Sequence, residues 1–296
     1  MTAVSVIGRL EVAEAVCALY REINTHLRQD VVEALRAAVE AEESAIARDV
    51  LEKLLENEEI SRGTGVPLCQ DTGLAVVFAR LGSEVLIEGG TLHEAVDEGV
   101  RRAVAEQPLR ASVVSDPLER ENTGDNTPAV VHLEQVPGDA LELHLLAKGG
   151  GAENMSRTYM LKPADGREGV MDAVVETVRE SGANACPPLV VGVGVGGDFE
   201  RAPLLAKRAL LRDLRKPNPD PALRDLEAGL LERVNALGIG PQGFGGRTTA
   251  LAVLAESAPC HIASLPLAVN LECHSHRHGR VVLRGRGERG GVRKDA

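Results

Sequence analysis

Apolar residues recur at helical spacing across 28–57, where Val32, Leu35, Ala38, Val39, Ala45, Ile46, Val50 and Leu54 follow one another with no Gly or Pro between them. The pattern predicts one continuous helix. Residues 8–26 predict an earlier helix, and 91–107 another with Thr91 as its N-cap. Short apolar runs at 75–81, 189–195, 248–256 and 262–271 predict strands. Two more runs, 130–135 and 141–147, flank Pro137, Gly138 and Asp139, a turn-forming cluster that predicts a hairpin or neighbouring strands. Further helices are expected over 167–181, over 200–214, and from Asp220 and Pro221 to Leu237, where an Asp N-cap precedes a Pro at the first helical position. The expected fold class is therefore mixed α/β (α+β), with N-terminal helices followed by β-strands and interspersed helices. The stretch Lys216-Pro-Asn-Pro-Asp-Pro221 is the strongest punctuation and marks a candidate boundary between two lobes. After Gly279 the sequence turns basic and Gly-rich, and residues 280–296 read as a tail with a frayed end.

With 296 residues, 44% apolar and 26% charged, the chain suits one large domain or two lobes with a sizeable core. Three Phe, two Tyr and no Trp leave that core to Ala, Val and Leu, and argue against base-stacking platforms. A net charge of −11 argues against nucleic acid or an anionic membrane as partner. No apolar run is long enough to span a bilayer and the N-terminus lacks a leader pattern, so a cytoplasmic chain is expected. Five cysteines without a regular framework spacing point the same way, to a reducing compartment.

Three of those cysteines lie in stretches dense with Gly, Pro and polar groups. Cys69 sits in Gly65-Val-Pro-Leu-Cys-Gln-Asp-Thr-Gly73, Cys186 opens Cys-Pro-Pro188, and Cys273 begins Cys-His-Ser-His-Arg-His278. Such loop thiols are candidates for ligands or nucleophiles, although their separations match no short metal signature and incidental thiols are the alternative. Cys17, among Val16, Ala18 and Leu19, reads as a small core hydrophobe. His274, His276 and His278 alternate, which suits either nitrogen donors or a His-rich exposed edge. The glycine clusters at 149–151 and 238–246 let backbone N–H groups converge on an anion, or simply make turns. Gly192-Val-Gly-Val-Gly-Gly197 formally meets the dinucleotide fingerprint, but the acidic residue expected after a second strand is missing. Arg110 and Asn122-Thr-Gly-Asp-Asn-Thr-Pro128 offer a guanidinium and amides that suit a small dicarboxylate, or a surface Arg beside an Asx-rich turn.

Taken in order, Cys69-Gln-Asp-Thr-Gly73, Asn122-Thr-Gly-Asp-Asn-Thr-Pro128, Lys148-Gly-Gly-Gly-Ala-Glu-Asn154, Cys186-Pro-Pro188, Gly240-Pro-Gln-Gly-Phe-Gly-Gly246, Cys260-His-Ile-Ala-Ser-Leu-Pro266 and Cys273-His resemble the α subunit of the class I fumarate hydratase and L(+)-tartrate dehydratase family of iron–sulfur hydro-lyases. The resemblance implies an α-type catalytic domain over 1–279, with two lobes around a [4Fe-4S] cluster. Cys69, Cys186 and Cys273 would be its three Cys ligands, leaving one open iron. It further implies that Gln70 and Asp71 touch substrate, with Asp71 as proton donor to the leaving hydroxyl. Arg110 matches a carboxylate-binding arginine, Gly150 and Gly151 match pocket-lining glycines, and His261 matches a histidine near the pocket. Cys260 matches no ligand position and is assigned to packing or support. Full-length relatives continue into a second domain that supplies the base, a threonine, and further cations, so a β subunit is the implied partner in an α2β2-like assembly. The resemblance puts malate and fumarate first as substrates and tartrate second. A nucleotide- or anion-binding protein without a cluster is the reading from another class.

Overall fold

The computed structural model describes residues 4–287. In chain order its elements begin β1 (Ser5–Gly8), α1 (Arg9–Thr25), α2 (Gln29–Ala41), α3 (Ala45–Thr64), β2 (Leu74–Gly82), β3 (Val85–Glu88) and α4 (Leu92–Glu106). Then come β4 (Val130–Val136), β5 (Ala140–Lys148), α5 (Gly150–Asn154), β6 (Arg157–Leu161), α6 (Gly166–Ser181) and β7 (Leu189–Gly196). The last are α7 (Arg201–Ala209), α8 (Pro221–Asn235), β8 (Ala250–Ala258), β9 (Leu265–Glu272), β10 (His278–Arg284) and β11 (Arg286–Gly287). The fold is mixed α/β, as the alternation of periods predicts.

The chain divides into two compact units. Unit 1 takes residues 4–26, 64–148 and 277–287; unit 2 takes 27–63 and 149–276. The segment Lys216–Pro221 lies inside unit 2, between α7 and α8. Residues 280–284 belong to β10, and the rest of the basic tail from 288 lies outside the described residues.

Unit 1 holds a four-stranded sheet ordered β10-β5-β2-β4 and a small sheet ordered β11-β1-β3. Alternation along β2 and β5 turns Ala75, Val77, Ala79, Leu141, Leu143 and Leu145 into one core with Val12, Val16, Tyr20, Val96 and Val100 from α1 and α4. Cys17 joins that core at 4% exposure, as its apolar context predicts. The expected hairpin of β4 and β5 does not form: β2 lies between them, parallel to β4 and antiparallel to β5. The Pro137–Asp139 connection instead crosses the end of β2, where Ser83 and Glu84 donate to the carbonyls of Val136 and Gly138. A Cβ on Gly82 would stand 2.3 Å from the Gly138 carbonyl oxygen, so the crossing needs glycine there.

Unit 2 is built on one sheet ordered β6-β9-β7-β8. Leu189, Val191 and Val193 on one face of β7 pack with Val174, Val178, Leu226 and Leu230 of α6 and α8. On the other face, Gly192 and Gly194 admit α7 so closely that a Cβ at either would stand 2.1 Å from a helix carbonyl oxygen. These glycines lie within the strand and serve helix packing, which overturns the dinucleotide fingerprint. The expected helix over 200–214 ends at Ala209. The continuous helix expected over 28–57 is broken at 42–44. Glu42 is buried, and its carboxylate accepts the N–H groups of Glu43, Ser44 and Arg247 at 3.0, 3.1 and 2.9 Å. A side chain that satisfies its own following N–H groups competes with helical continuation.

Candidate active site

The Cys69 loop in unit 1 follows α3 and is fastened before and after the cysteine. Leu68 is buried, and its N–H donates to the Asn24 carbonyl at 2.8 Å. Beyond Cys69, the Asp71 carboxylate accepts the Gly73 N–H at 3.0 Å, closing an Asx turn, with Gly73 at φ 75°. The Cys69 thiol donates to Gln70 Oε1 at 3.3 Å and accepts the Asp71 N–H at 3.4 Å. Cys69 and Asp71 are half-buried, and Gln70 is exposed.

A second stretch of unit 1 reaches this loop through Ser112. Its hydroxyl donates to Asp71 Oδ1 at 3.3 Å and also lies 3.4 Å from the Arg110 carbonyl. Arg110 is exposed, and among the described residues its guanidinium makes no ion pair. The link between the two stretches is Asn126, which is fully buried with φ 61°. Asn126 accepts the Ser112 N–H at 2.7 Å and donates to the Gly73 carbonyl at 2.9 Å and the Tyr20 hydroxyl at 3.0 Å. Its amide is thus consumed in holding protein, where the sequence alone offered it as a clamp for a ligand. Burial pushes the Tyr20 phenol up to about 12, against the opposing influence of the Arg277 charge and the Asn126 hydrogen bond. Tyr20 and Asn24 lie one turn apart on α1, and a polar residue on an apolar helix face was the available sequence signal for this role.

In unit 2 the Cys186 and Cys273 loops meet. Cys186 has left-handed backbone, φ 55°, ahead of the cis Pro187–Pro188 bond. Its carbonyl accepts the His274 N–H at 3.3 Å and lies 3.1 Å from His274 Nδ1. Gln242, from the Gly240-Pro-Gln-Gly-Phe stretch, donates its main-chain N–H and its side-chain amide to the Pro187 carbonyl, both at 2.7 Å. That amide also lies 3.0 Å from His274 Nδ1, and the ring's tautomer decides which of the two contacts is a hydrogen bond. The 238–246 glycine cluster therefore carries a side chain that braces two cysteine loops.

Gly150 and Gly151 open α5, both exposed, and a Cβ on Gly151 would stand 3.4 Å from the carbonyl oxygen of Asn184, two residues before Cys186. His261 is placed differently. It lies in the exposed connection from β8 to β9, with its Nδ1 accepting the Ala263 N–H at 3.1 Å. Because β9 runs antiparallel to β7, Cys186 and Cys273 share one end of the sheet and His261 stands at the other, roughly 25 Å of extended chain away. Cys260 is exposed and its thiol donates to the Ser264 carbonyl, so the packing role expected of it is not what it does. The His-rich stretch is not an exposed edge either: His276 and His278 are buried, and His276 Nε2 lies 2.8 Å from the Leu210 carbonyl. Burial holds the His276 ring below the ordinary histidine range, against the charge of Glu272.

None of the five cysteines is in a disulfide. As a donor set for an iron–sulfur cluster, Cys69, Cys186 and Cys273 fit in chemical type: each is a half-buried thiol at a constrained loop. Cys17 does not fit, since burial and then the Glu106 charge push its thiol up, away from thiolate. Among the described residues, neither unit by itself gathers three or more His, Cys, Asp or Glu side chains as a metal site, and the three thiols divide one to unit 1 and two to unit 2. No helix of the described residues is long and apolar enough to cross a membrane.

A sequence model described as Fumarate hydratase (Fumerase) matches residues 13–282. The chain is 42% identical over 274 residues to a Methanocaldococcus jannaschii protein named "Putative L(+)-tartrate dehydratase subunit alpha", covering 90% of this chain and 96% of that one. It is 35% identical over 263 residues to the L(+)-tartrate dehydratase subunit alpha of Escherichia coli strain UTI89, covering 88% and 86% of the two chains. Against the protein of that name in E. coli K12 the identity is 34% over 265 residues, covering 88% and 87%. With nine-tenths of its length matched and the motif loops built as described, the chain belongs to the fumarate hydratase (Fumerase) family and is an iron–sulfur hydro-lyase chain.

Proposed function

We propose that this chain is the α subunit of a hydro-lyase that removes water reversibly from a 2-hydroxy dicarboxylate, with Cys69, Cys186 and Cys273 holding a [4Fe-4S] cluster. Such a cluster, bound by three thiolates, keeps one iron open and supplies Lewis acidity toward a substrate hydroxyl and carboxylate. The observation that carries the reading is the hydrogen-bonded convergence of Cys69, Asp71, Ser112 and Arg110 on one part of unit 1.

The chain's own groups then divide the work. Arg110, exposed and without an ion-pair partner among the described residues, binds one substrate carboxylate through its planar fork. Asp71 delivers a proton to the departing hydroxyl, which leaves as water. Its carboxyl is oriented by the Gly73 N–H and the Ser112 hydroxyl on Oδ1. Gln70, exposed beside the thiol, offers its amide to the same substrate. Gly150 and Gly151 present main chain without Cβ atoms on unit 2. His261 remains a proposed contact, set apart from Cys186 and Cys273 within one chain by the length of the sheet. The base that takes the C3 proton, and cations for the second carboxylate, come from a β subunit in an α2β2-like assembly. The names of the relatives as α subunits support that partner. The absence of disulfides among five cysteines suits a cytoplasmic enzyme.

Malate and fumarate form the first substrate reading and L(+)-tartrate the second, the latter favoured by the relatives' names. The test is anaerobic coexpression with the β-type chain and parallel assay of malate and tartrate. Turnover of one or both that requires the β chain is expected. Turnover of neither by an iron-loaded mixture would overturn the assignment.

A further inference from the structure

Arg277 is the bulkiest fully buried side chain among the described residues, 1% exposed. Among those residues it makes no ion pair. Its Nη1 donates to Asn24 Oδ1 at 3.1 Å and to the main-chain carbonyl of Asp71 at 2.7 Å, and its Nε is buried with no hydrogen-bond partner. The Arg277 carbonyl accepts the Ala147 N–H at 2.9 Å, which fixes its backbone where the chain enters β10. Asn24 is itself oriented, donating its amide to the Tyr20 carbonyl one turn earlier on α1. The last turn of α1 offers the guanidinium a partial negative charge, yet among the described residues no carboxylate lies within ion-pair distance of it. A buried cation without its counter-ion is costly to keep, and hydrogen bonds to carbonyls alone do not require a permanent charge. The carbonyl it grips lies two residues past Cys69, on the residue whose carboxyl is assigned the proton transfer.

We propose that Arg277 is a positioning residue: by gripping the Asp71 carbonyl and Asn24 it sets the Cys69–Gly73 loop, and its buried positive charge stabilises the anion that this loop carries. A three-thiolate cluster and a dicarboxylate are both anionic. The proposal rests on the reading of Cys69 as ligand and Asp71 as proton donor. It acts through main chain, so its removal need not remove a ligand.

The test uses Arg277→Gln, Arg277→Lys and Asn24→Ala in the full chain, coexpressed with the β-type partner and purified anaerobically. Iron and sulfide per chain, cluster midpoint potential, kcat, KM and melting temperature are measured together. Arg277→Gln is expected to lower kcat per loaded cluster roughly 10²-fold, with a smaller change in KM, as misplacement of a reacting group does. Its midpoint potential should become more negative, because a cation has been withdrawn. Arg277→Lys keeps the charge and should restore the potential but not kcat, since its shorter side chain cannot bring a nitrogen to both the Asn24 Oδ1 and the Asp71 carbonyl that Nη1 now serves. Asn24→Ala should lower kcat with the potential unmoved. If Arg277→Gln changes only loading or melting temperature, with kcat per cluster and potential at wild-type values, Arg277 is a structural anchor and the proposal fails. If that variant does not fold, wild-type kcat per cluster in both Arg277→Lys and Asn24→Ala overturns it equally. Wild-type enzyme without iron and sulfide would overturn the ligand reading and this proposal with it; iron-loaded wild type with an insensitive Arg277→Gln overturns the proposal alone.

Discussion

Replacing Asn126 with Ala removes three hydrogen bonds from the interior of unit 1: those to the Ser112 N–H, the Gly73 carbonyl and the Tyr20 hydroxyl. At a net value of about 1 kcal/mol each, their loss costs about 3 kcal/mol. Ala must also take the left-handed backbone that Asn126 holds at φ 61°, which adds about 1 kcal/mol, since Asn tolerates that region better than Ala. The expected destabilisation is therefore about 4 kcal/mol, a large share of the ~5–15 kcal/mol by which domains are stable. Asn126→Gly separates the two contributions, because it relieves the backbone while losing the same hydrogen bonds, and should cost about 1 kcal/mol less than Ala. The chain has no Trp, so urea unfolding is best followed by circular dichroism at the helical band. A loss below about 1 kcal/mol for Asn126→Ala would refute the claim that this amide ties the Ser112 and Asp71 stretches together.

Gly194→Ala places a Cβ 2.1 Å from the Ala202 carbonyl oxygen and should push α7 off the sheet; a soluble variant melting with the wild type would contradict the packing role given to that glycine. Tyr20 has a folded-state value raised from 10.0 to about 12, so the stability it contributes is complete below pH 10 and lost as pH rises toward 12. Wild type should accordingly lose up to about 3 kcal/mol relative to Tyr20→Phe across that window, and parallel pH–stability curves would refute it. Asp71→Asn should keep iron loading and lose about 10²–10⁴-fold in turnover, while near wild-type turnover would reduce Asp71 to a neighbour of the thiol.

Features written in adjacent residues were legible in the sequence. Thr91 and Glu94 cap α4 reciprocally, at 3.2 Å from the Glu94 N–H to Thr91 Oγ1 and 2.8 Å from the Thr91 N–H to the Glu94 carboxylate. Asp220 and Pro221 open α8 as their chemistry requires. The break between α2 and α3 was not legible, because the Glu42 carboxylate that stops the helix also serves the N–H of Arg247, far away in sequence. Period-two alternation located β4 and β5 but carries no information on which strand pairs with which, and β2 intervened. In the site, the loop contexts of Cys69, Cys186 and Cys273 were visible at once. Their supports were not: Tyr20, Asn24, Asn126 and Arg277 come together only in the tertiary fold, and Asn126 read as a ligand-facing amide until its three protein partners were seen.

Iron and acid-labile sulfide per chain, measured on anaerobically prepared wild type and the five single Cys→Ser variants, tests the central claim most directly. Cys69→Ser, Cys186→Ser and Cys273→Ser should each lose stable loading. Cys17→Ser, in the core of unit 1, and Cys260→Ser, on the exposed connection before β9, should load like wild type. Equal iron and sulfide in all five variants would contradict the assignment of Cys69, Cys186 and Cys273 as the ligands.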